Sequence, residues 1–235
     1  MMPKIKGFLP VSLIEWKGKI CSVVFLGGCN LRCPFCHSSA LVTNPESQPE
    51  VKWESIERYL KEKKGWIDAV VVSGGEPTTD KGLPLLLKNI KQMNLKTKIF
   101  TNGTDPDIIR YLIDSGLADS FSIDIKAPLN SEKYRVATGG DVSVDNIVKS
   151  VKIIIENNID SDFRTTLVPT IFDGEDFKGF ARELFYLGIK KIILQQFVPR
   201  DTLDPTYLNI KPYSQDFIKE IVQDICFYIK DVEIS

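Results

Sequence analysis

Apolar residues recur along this chain at two spacings. Short runs rich in Val, Ile, Phe and Thr suit a pleated surface. They predict strands at Ile20 to Leu26, Ala69 to Ser73, Lys98 to Asn102, Ser120 to Lys126, Phe163 to Val168 and Lys191 to Phe197. Several are apolar for most of their length, as strands covered on both faces are. Between them, apolar positions return every three or four residues and predict helices over Trp53 to Lys63, Lys81 to Met93, Pro106 to Ser115, Val144 to Asn157 and Asp176 to Leu187. A last helix is expected over Ser214 to Ile229. Asp105 before Pro106 reads as an N-cap followed by a proline at the first helical position. Gly65, Gly116 and Gly188 each stop a periodic run.

Six strands alternating with helices predict an α/β fold with a parallel sheet and right-handed crossovers. Six units are too few for a regular eight-stranded barrel. The expectation is therefore an open, partial (β/α)6 TIM-like barrel with a C-terminal helix. Residues 1–235 read as a single domain: a lead-in over 1–20, a barrel core over 20–197 and a C-terminal extension over 198–235. Functional residues of such folds gather at the carboxyl ends of strands. The distinctive residues of this chain do fall there: a cysteine loop after the first strand, Ser73-Gly-Gly-Glu-Pro77 after the second, Thr101-Asn-Gly103 after the third, and Asp124-Ile-Lys126 at the end of the fourth.

Composition narrows the functional classes. A chain of 235 residues with 43% hydrophobic residues buries a full core without disulfide staples. Thirty Lys and Arg against 31 Asp and Glu leave a net charge of -1, with no basic footprint for nucleic acid. No run approaches the ~18 to 20 apolar residues of a membrane span, and the N-terminus lacks the apolar stretch of a signal peptide. A cytoplasmic protein that binds neither membrane nor nucleic acid is expected.

Five cysteines, at 21, 29, 33, 36 and 226, make a poor disulfide framework. Three of them, Cys29, Cys33 and Cys36, lie within eight residues and suit a compact metal centre. One reading is zinc held by these thiols and His37, since zinc favours four N or S ligands. The other is a [4Fe-4S] cluster with three cysteine ligands and one iron left open. An adjacent Cys-His pair is awkward for one small ion, whereas a larger cuboidal cluster takes three corners from one short loop. The iron-sulfur reading is preferred. His37, the only histidine, is expected to make a loop hydrogen bond, and Cys21 and Cys226 to act as buried thiols.

The run Cys29-x3-Cys33-x2-Cys36, with the aromatic Phe35 just before the last thiol, resembles the signature of the radical S-adenosylmethionine (radical SAM) superfamily. Gly74-Gly75-Glu76-Pro77 is similar to that superfamily's second motif. The resemblance implies a partial (β/α)6 barrel and two cofactors, a [4Fe-4S] cluster and S-adenosylmethionine. It implies that the amino and carboxylate groups of S-adenosylmethionine chelate the open iron. One electron from the cluster then cleaves the sulfonium, and the 5'-deoxyadenosyl radical abstracts a hydrogen atom. In that light Gly74 and Gly75 allow close backbone approach to the methionyl group, and Glu76 helps to accept from its ammonium. Phe35 lies near adenine. Asp124 and Lys126 share one face of a strand, where Asp124 meets the ammonium and Lys126 the carboxylate. Arg164 faces the carboxylate or the ribose, Asn102 hydrogen-bonds the ribose or methionyl group, and one of Gln195 and Gln196 reaches the site.

The opening Gly7-Phe-Leu-Pro-Val-Ser-Leu-Ile-Glu-Trp-Lys-Gly18 is similar to that of activating proteins for anaerobic ribonucleoside-triphosphate reductase. The Asp124-x-Lys126 pair is shared with the wider glycyl-radical-enzyme activases. This implies a protein substrate, a glycyl-radical enzyme such as anaerobic ribonucleotide reductase, and a one-electron donor such as flavodoxin or ferredoxin. The chain departs from the pattern in having Glu15-Trp-Lys-Gly18 where such proteins often have Asp-x-Pro-Gly. Two alternatives stand beside this reading: a radical SAM enzyme acting on a small molecule, and a noncatalytic zinc-binding protein.

Overall fold

The computed structural model describes residues 1–174 and 176–235. Among these, the strands are β1 (Ile5–Ser12), β2 (Cys21–Leu26), β3 (Ala69–Gly74), β4 (Lys96–Thr101), β5 (Ser120–Asp124), β6 (Asp160–Leu167), β7 (Lys191–Gln196) and β8 (Asp231–Ile234). The helices are α1 (Ser39–Thr43), α2 (Trp53–Glu62), α3 (Leu83–Gln92), α4 (Pro106–Asp114), α5 (Ser131–Thr138), α6 (Val144–Glu156), α7 (Asp176–Tyr186) and α8 (Gln215–Cys226). They fall into two compact units.

The first unit comprises Met1–Asn30, Ala40–Thr101 and Asp107–Ser122. Here β2, β3 and β4 run parallel, with Val23 opposite Val71 and Val71 opposite Lys98. The lead-in adds an unexpected strand: β1 pairs antiparallel with β2, from Ile5 opposite Leu26 to Ser12 opposite Cys21. Its Gly7 and Pro10 hide it from a propensity reading, yet both are tolerated where a strand has a neighbour on one side only. Beyond β1 the chain folds Trp16 into a buried cluster with Cys21, Val23, Ala69 and Val71. Lys98, 1% exposed, donates from Nζ to the Glu15 carbonyl at 3.0 Å. Its ammonium lies over the Trp16 and Phe100 rings at 5.7 and 5.5 Å. A carbonyl and two ring faces thus offset the desolvation of a buried cation. The helices bury one stripe each, Ile56 and Leu60 on α2 and Leu83, Leu86, Leu87 and Ile90 on α3, as the helical spacing predicts.

The second unit comprises Leu31–Ser39, Asn102–Pro106 and Ile123–Ser235. Its strands β6, β7 and β8 run parallel, with Arg164 opposite Ile193 and Leu194 opposite Ile234. The extension therefore contributes a strand as well as the expected helix, and α8 packs on α7. Buried faces of α6 (Ile147, Val151, Ile154), α7 (Phe177, Phe180, Leu184) and α8 (Ile218, Ile221, Ile225) supply the core. Ser143 and Ser214 cap α6 and α8 by accepting the amides of Asn146 and Phe217. The short α5 escaped the sequence reading. It is capped by Asn130, whose side chain accepts the Lys133 amide, and it ends at Gly139 in the left-handed region. No helix among the described residues is long and apolar enough to cross a membrane.

Candidate functional site

In the first unit, the end of β3 lies against the backbone that leads to Cys29. The Gly75 amide donates to the Leu26 carbonyl at 2.9 Å and the Glu76 amide to the Gly28 carbonyl at 2.8 Å. A Cβ on Gly74, which has φ +122°, would sit 2.1 Å from the Leu26 oxygen, and one on Gly75 would sit 1.8 Å from the Gly28 oxygen. The close approach that demands glycine here is thus to the chain's own backbone. Glu76 is 2% exposed. Its Oε1 accepts from the Thr78 amide (3.1 Å), the Thr78 hydroxyl (2.6 Å) and the Thr101 hydroxyl (2.7 Å). That oxygen caps the turn Pro77–Thr79 and ties it to β4. Cys29 is half-buried, with its thiol 3.9 Å from Asn30 Oδ1.

In the second unit, Cys33 and Phe35 are buried and Cys36 is half-buried. This loop is held on two sides. The Arg32 amide donates to the Thr138 carbonyl at 2.9 Å, at the end of α5, and the Asp204 amide donates to the Pro34 carbonyl at 2.9 Å. His37 donates from Nε2 to the Val198 carbonyl at 2.8 Å, which is the loop hydrogen bond expected of it and fixes which nitrogen carries the proton. Burial pushes the Cys36 thiol up, while the Ser38 amide and the Lys126 ammonium pull it down.

The same unit brings Asp124 and Lys126 to that loop. Lys126 Nζ donates to Asp124 Oδ2 at 2.5 Å and stands 5.9 Å from the centroid of the Phe35 ring. The two side chains are 12% and 33% exposed, Lys126 the lower. Burial pulls the ammonium down, but the charges of Asp124, Cys33 and Cys36 outweigh it and hold Lys126 above the ordinary lysine range. Asp124 Oδ1 is buried and has no hydrogen-bond partner. A buried carboxylate oxygen left in this state is unusual and asks for a donor. The Ile125 amide donates to the Arg164 carbonyl at 2.8 Å, and the Thr165 hydroxyl donates to the Ile125 carbonyl at 2.9 Å. Thr165 therefore lies beside Ile125, and Arg164 belongs to the strand face that carries Asp124 and Lys126.

Other expectations resolve individually. The Asn102 side-chain oxygen accepts from the Thr104 amide (3.1 Å) and hydroxyl (2.7 Å), so it builds the turn that Gly103 continues at φ +72°. Gln196 donates to the Tyr213 carbonyl at 3.1 Å and accepts from Gln215. Gln195 pairs in register with Thr166 and, by strand alternation, shares the face of Arg164. Burial pushes the Cys21 thiol up to about 11, in keeping with a buried thiol inside β2. Cys226, expected to be buried, is only half-buried, because it falls in the last turn of α8. Among the described residues, no three His, Cys, Asp or Glu side chains are arranged to hold a single metal ion. Tyr134, which the sequence reading missed, places its hydroxyl 3.1 Å from the Lys126 amide as acceptor. The only sequence signal for it was the Asn130 cap and the Gly139-Gly140 stop that bracket its helix.

Comparison with known proteins bears on this arrangement. The model of the radical SAM superfamily matches residues 23–186. A protein of Methanocaldococcus jannaschii, named as a candidate glycyl-radical enzyme activating enzyme, is 30% identical over 239 residues, covering all of this chain and 96% of that one. A candidate GTP 3',8-cyclase of Pyrococcus abyssi is 30% identical over 207 residues, covering 83% of this chain and 64% of that one. Among solved structures, SuiB of Streptococcus suis bound to its precursor peptide SuiA superposes with a TM-score of 0.70 at 19% identity, covering 91% of this chain. This chain spans about half the length of SuiB (48%). The likeness supports the expected α/β fold, a partial TIM-like barrel.

Proposed function

The chain belongs to the radical SAM superfamily, whose cofactors are a [4Fe-4S] cluster and S-adenosylmethionine, and on that premise we propose that it activates a partner enzyme by taking a hydrogen atom from a glycine Cα. When bound, the cluster and S-adenosylmethionine supply reductive cleavage of the sulfonium and hydrogen-atom abstraction. Cys29, Cys33 and Cys36 are the proposed cluster ligands. The donor set suits the group: three thiols on one short loop, two of which act through their charge on Lys126.

One observation carries the assignment of the cofactor pocket: the buried Asp124 Oδ1 without a partner, next to the Lys126 ammonium. A zwitterion with an ammonium and a carboxylate complements this pair. Asp124 receives the ammonium, Lys126 orients the carboxylate, and Phe35 offers its neighbourhood to adenine. Arg164 lies on the same strand face for the carboxylate or ribose. Gly74 and Gly75 contribute backbone carbonyls and Asn102 polar contacts at the ribose or methionyl group. Glu76 acts beside them while its Oε1 holds the turn.

What supports a protein substrate is the match to the Methanocaldococcus relative named as a candidate glycyl-radical enzyme activating enzyme, 30% identical over all of this chain and 96% of that one. The intended partner is a glycyl-radical enzyme such as anaerobic ribonucleotide reductase, with flavodoxin or ferredoxin as electron donor. Reconstituted chain, S-adenosylmethionine and reductant incubated with such a reductase should give an air-sensitive organic radical on the partner by electron paramagnetic resonance. A second reading, a small-molecule substrate, is favoured by the Pyrococcus match. S-adenosylmethionine consumed with no partner radical, and with a modified small molecule released, would select that reading.

A further inference from the structure

We propose that Tyr134 is a positioning residue for the Asp124–Lys126 pair, and that α5 sets the spacing between that pair and the Cys33–Cys36 loop. The inference rests on the reading that the pair holds the zwitterionic end of S-adenosylmethionine.

Successive amides of a strand point to opposite edges. Past the end of β5, the Ile125 amide is taken by the Arg164 carbonyl of β6. The next amide, that of Lys126, faces the other way and is taken by the Tyr134 hydroxyl at 3.1 Å. A tyrosine 1% exposed thus does the work of a missing ladder partner. It fixes the backbone of Lys126, and with it the carboxylate two residues earlier on the same face.

One turn along α5, Thr138 holds the other side. Its hydroxyl donates to the Tyr134 carbonyl at 2.6 Å, and its own carbonyl accepts the Arg32 amide, one residue before Cys33. Gly139, at φ +69°, lets this contact form, because a Cβ there would lie 2.2 Å from the Arg32 oxygen. A single eight-residue helix therefore grips both the thiol loop and the charged pair. A side chain that only filled space would need no hydroxyl at that position, and phenylalanine would serve equally.

Tyr134→Phe tests this in the reconstituted protein. Iron and sulfide content should match the parent. The apparent S-adenosylmethionine Kd, read from the change in the reduced cluster's paramagnetic resonance, should rise about five- to tenfold, the range a lost buried hydrogen bond gives. Turnover at saturating S-adenosylmethionine should stay within about twofold of the parent. Asp124→Asn is measured alongside, with the double variant. Binding weakened by Asp124→Asn and by Tyr134→Phe, and less than additively by both, supports the inference. Weakening by Asp124→Asn alone overturns the role of Tyr134 and leaves the pair's reading standing. No weakening by Asp124→Asn overturns both. Iron lost from Tyr134→Phe together with affinity would make the tyrosine a prop of the thiol loop and overturn the proposal.

Discussion

At the scale of single residues, glycine and cysteine positions separate conformational need from chemistry. Gly28 and Gly75 lie in the same turn region but require glycine for different reasons. Gly28 has φ +84° with open space around its Cβ position, so alanine there meets only the left-handed backbone penalty, about 1–2 kcal/mol. Gly75 has no such φ, yet its Cβ would overlap the Gly28 oxygen at 1.8 Å. Backbone cannot give way as a flexible side chain does, so Gly75→Ala should destabilise by about 3 kcal/mol or more. Thermal unfolding of the two variants checks the order; equal losses would mean that the turn relaxes around the new methyl. The cysteines divide in the same way. Cys33→Ala should abolish iron and sulfide binding in anaerobically reconstituted protein, whereas Cys226→Ala, in the last turn of α8, should leave both unchanged. Zinc in place of iron and sulfide in the parent, or equal iron in both variants, would contradict the ligand assignment.

At the scale of elements, Asp119 shows how one side chain joins three of them. Its carboxylate accepts from Lys91 at the end of α3 (2.7 and 2.8 Å) and from the Thr97 amide of β4 (2.8 Å), just before β5 begins. Burial raises its pKa, but the Lys91 and Thr97 donors outweigh this and hold the carboxyl below its ordinary value. A lowered folded pKa adds stability above the unfolded value, near ~3.9, and that stability is lost as pH falls through the folded value. The side chain is 28% exposed, which weakens the pair. Asp119→Asn should therefore cost roughly 1–2 kcal/mol at neutral pH, with the gap to the parent closing as the pH is taken below about 4. A gap of constant size across an acid titration would show that the charge contributes nothing.

The elements also mark what periodicity reveals. Long buried faces, such as Leu83, Leu86, Leu87 and Ile90 on α3, announce themselves by spacing, and the six central strands by their apolar runs. The strands β1 and β8 do not, since one carries Gly7 and Pro10 and the other is four residues with two acids. The helix α5 buries only Tyr134, Ala137 and Thr138, too few to make a stripe. The candidate site follows the same rule. Asp124 and Lys126 were legible because charges closing an apolar strand need a reason. Cys33, Phe35 and Cys36 were legible by spacing. Tyr134 was not, because a hydroxyl that serves a backbone amide leaves no trace in composition, and the partners of Glu76 were hidden because they come from two separate segments.

At the scale of the whole molecule, the chain passes between its two compact units five times, at 30/31, 39/40, 101/102, 106/107 and 122/123. Three of these passages fall inside regular elements, at the first turns of α1 and α4 and in the middle of β5. Independent domains are joined by exposed linkers, and a boundary through a helix or a strand is not one. Helix formation is cooperative along the element, so unfolding of either unit would fray elements that belong partly to the other. We propose that residues 1–235 unfold as one domain. The sequence supplies the probe: Trp16, Trp53 and Trp66, its three tryptophans, all lie in the first unit. Indole fluorescence therefore reports on that unit, while far-ultraviolet circular dichroism reports on the helices of both. Urea titrations followed by the two signals should share one midpoint and one slope. A fluorescence transition displaced from the dichroism transition would show two separately folding parts.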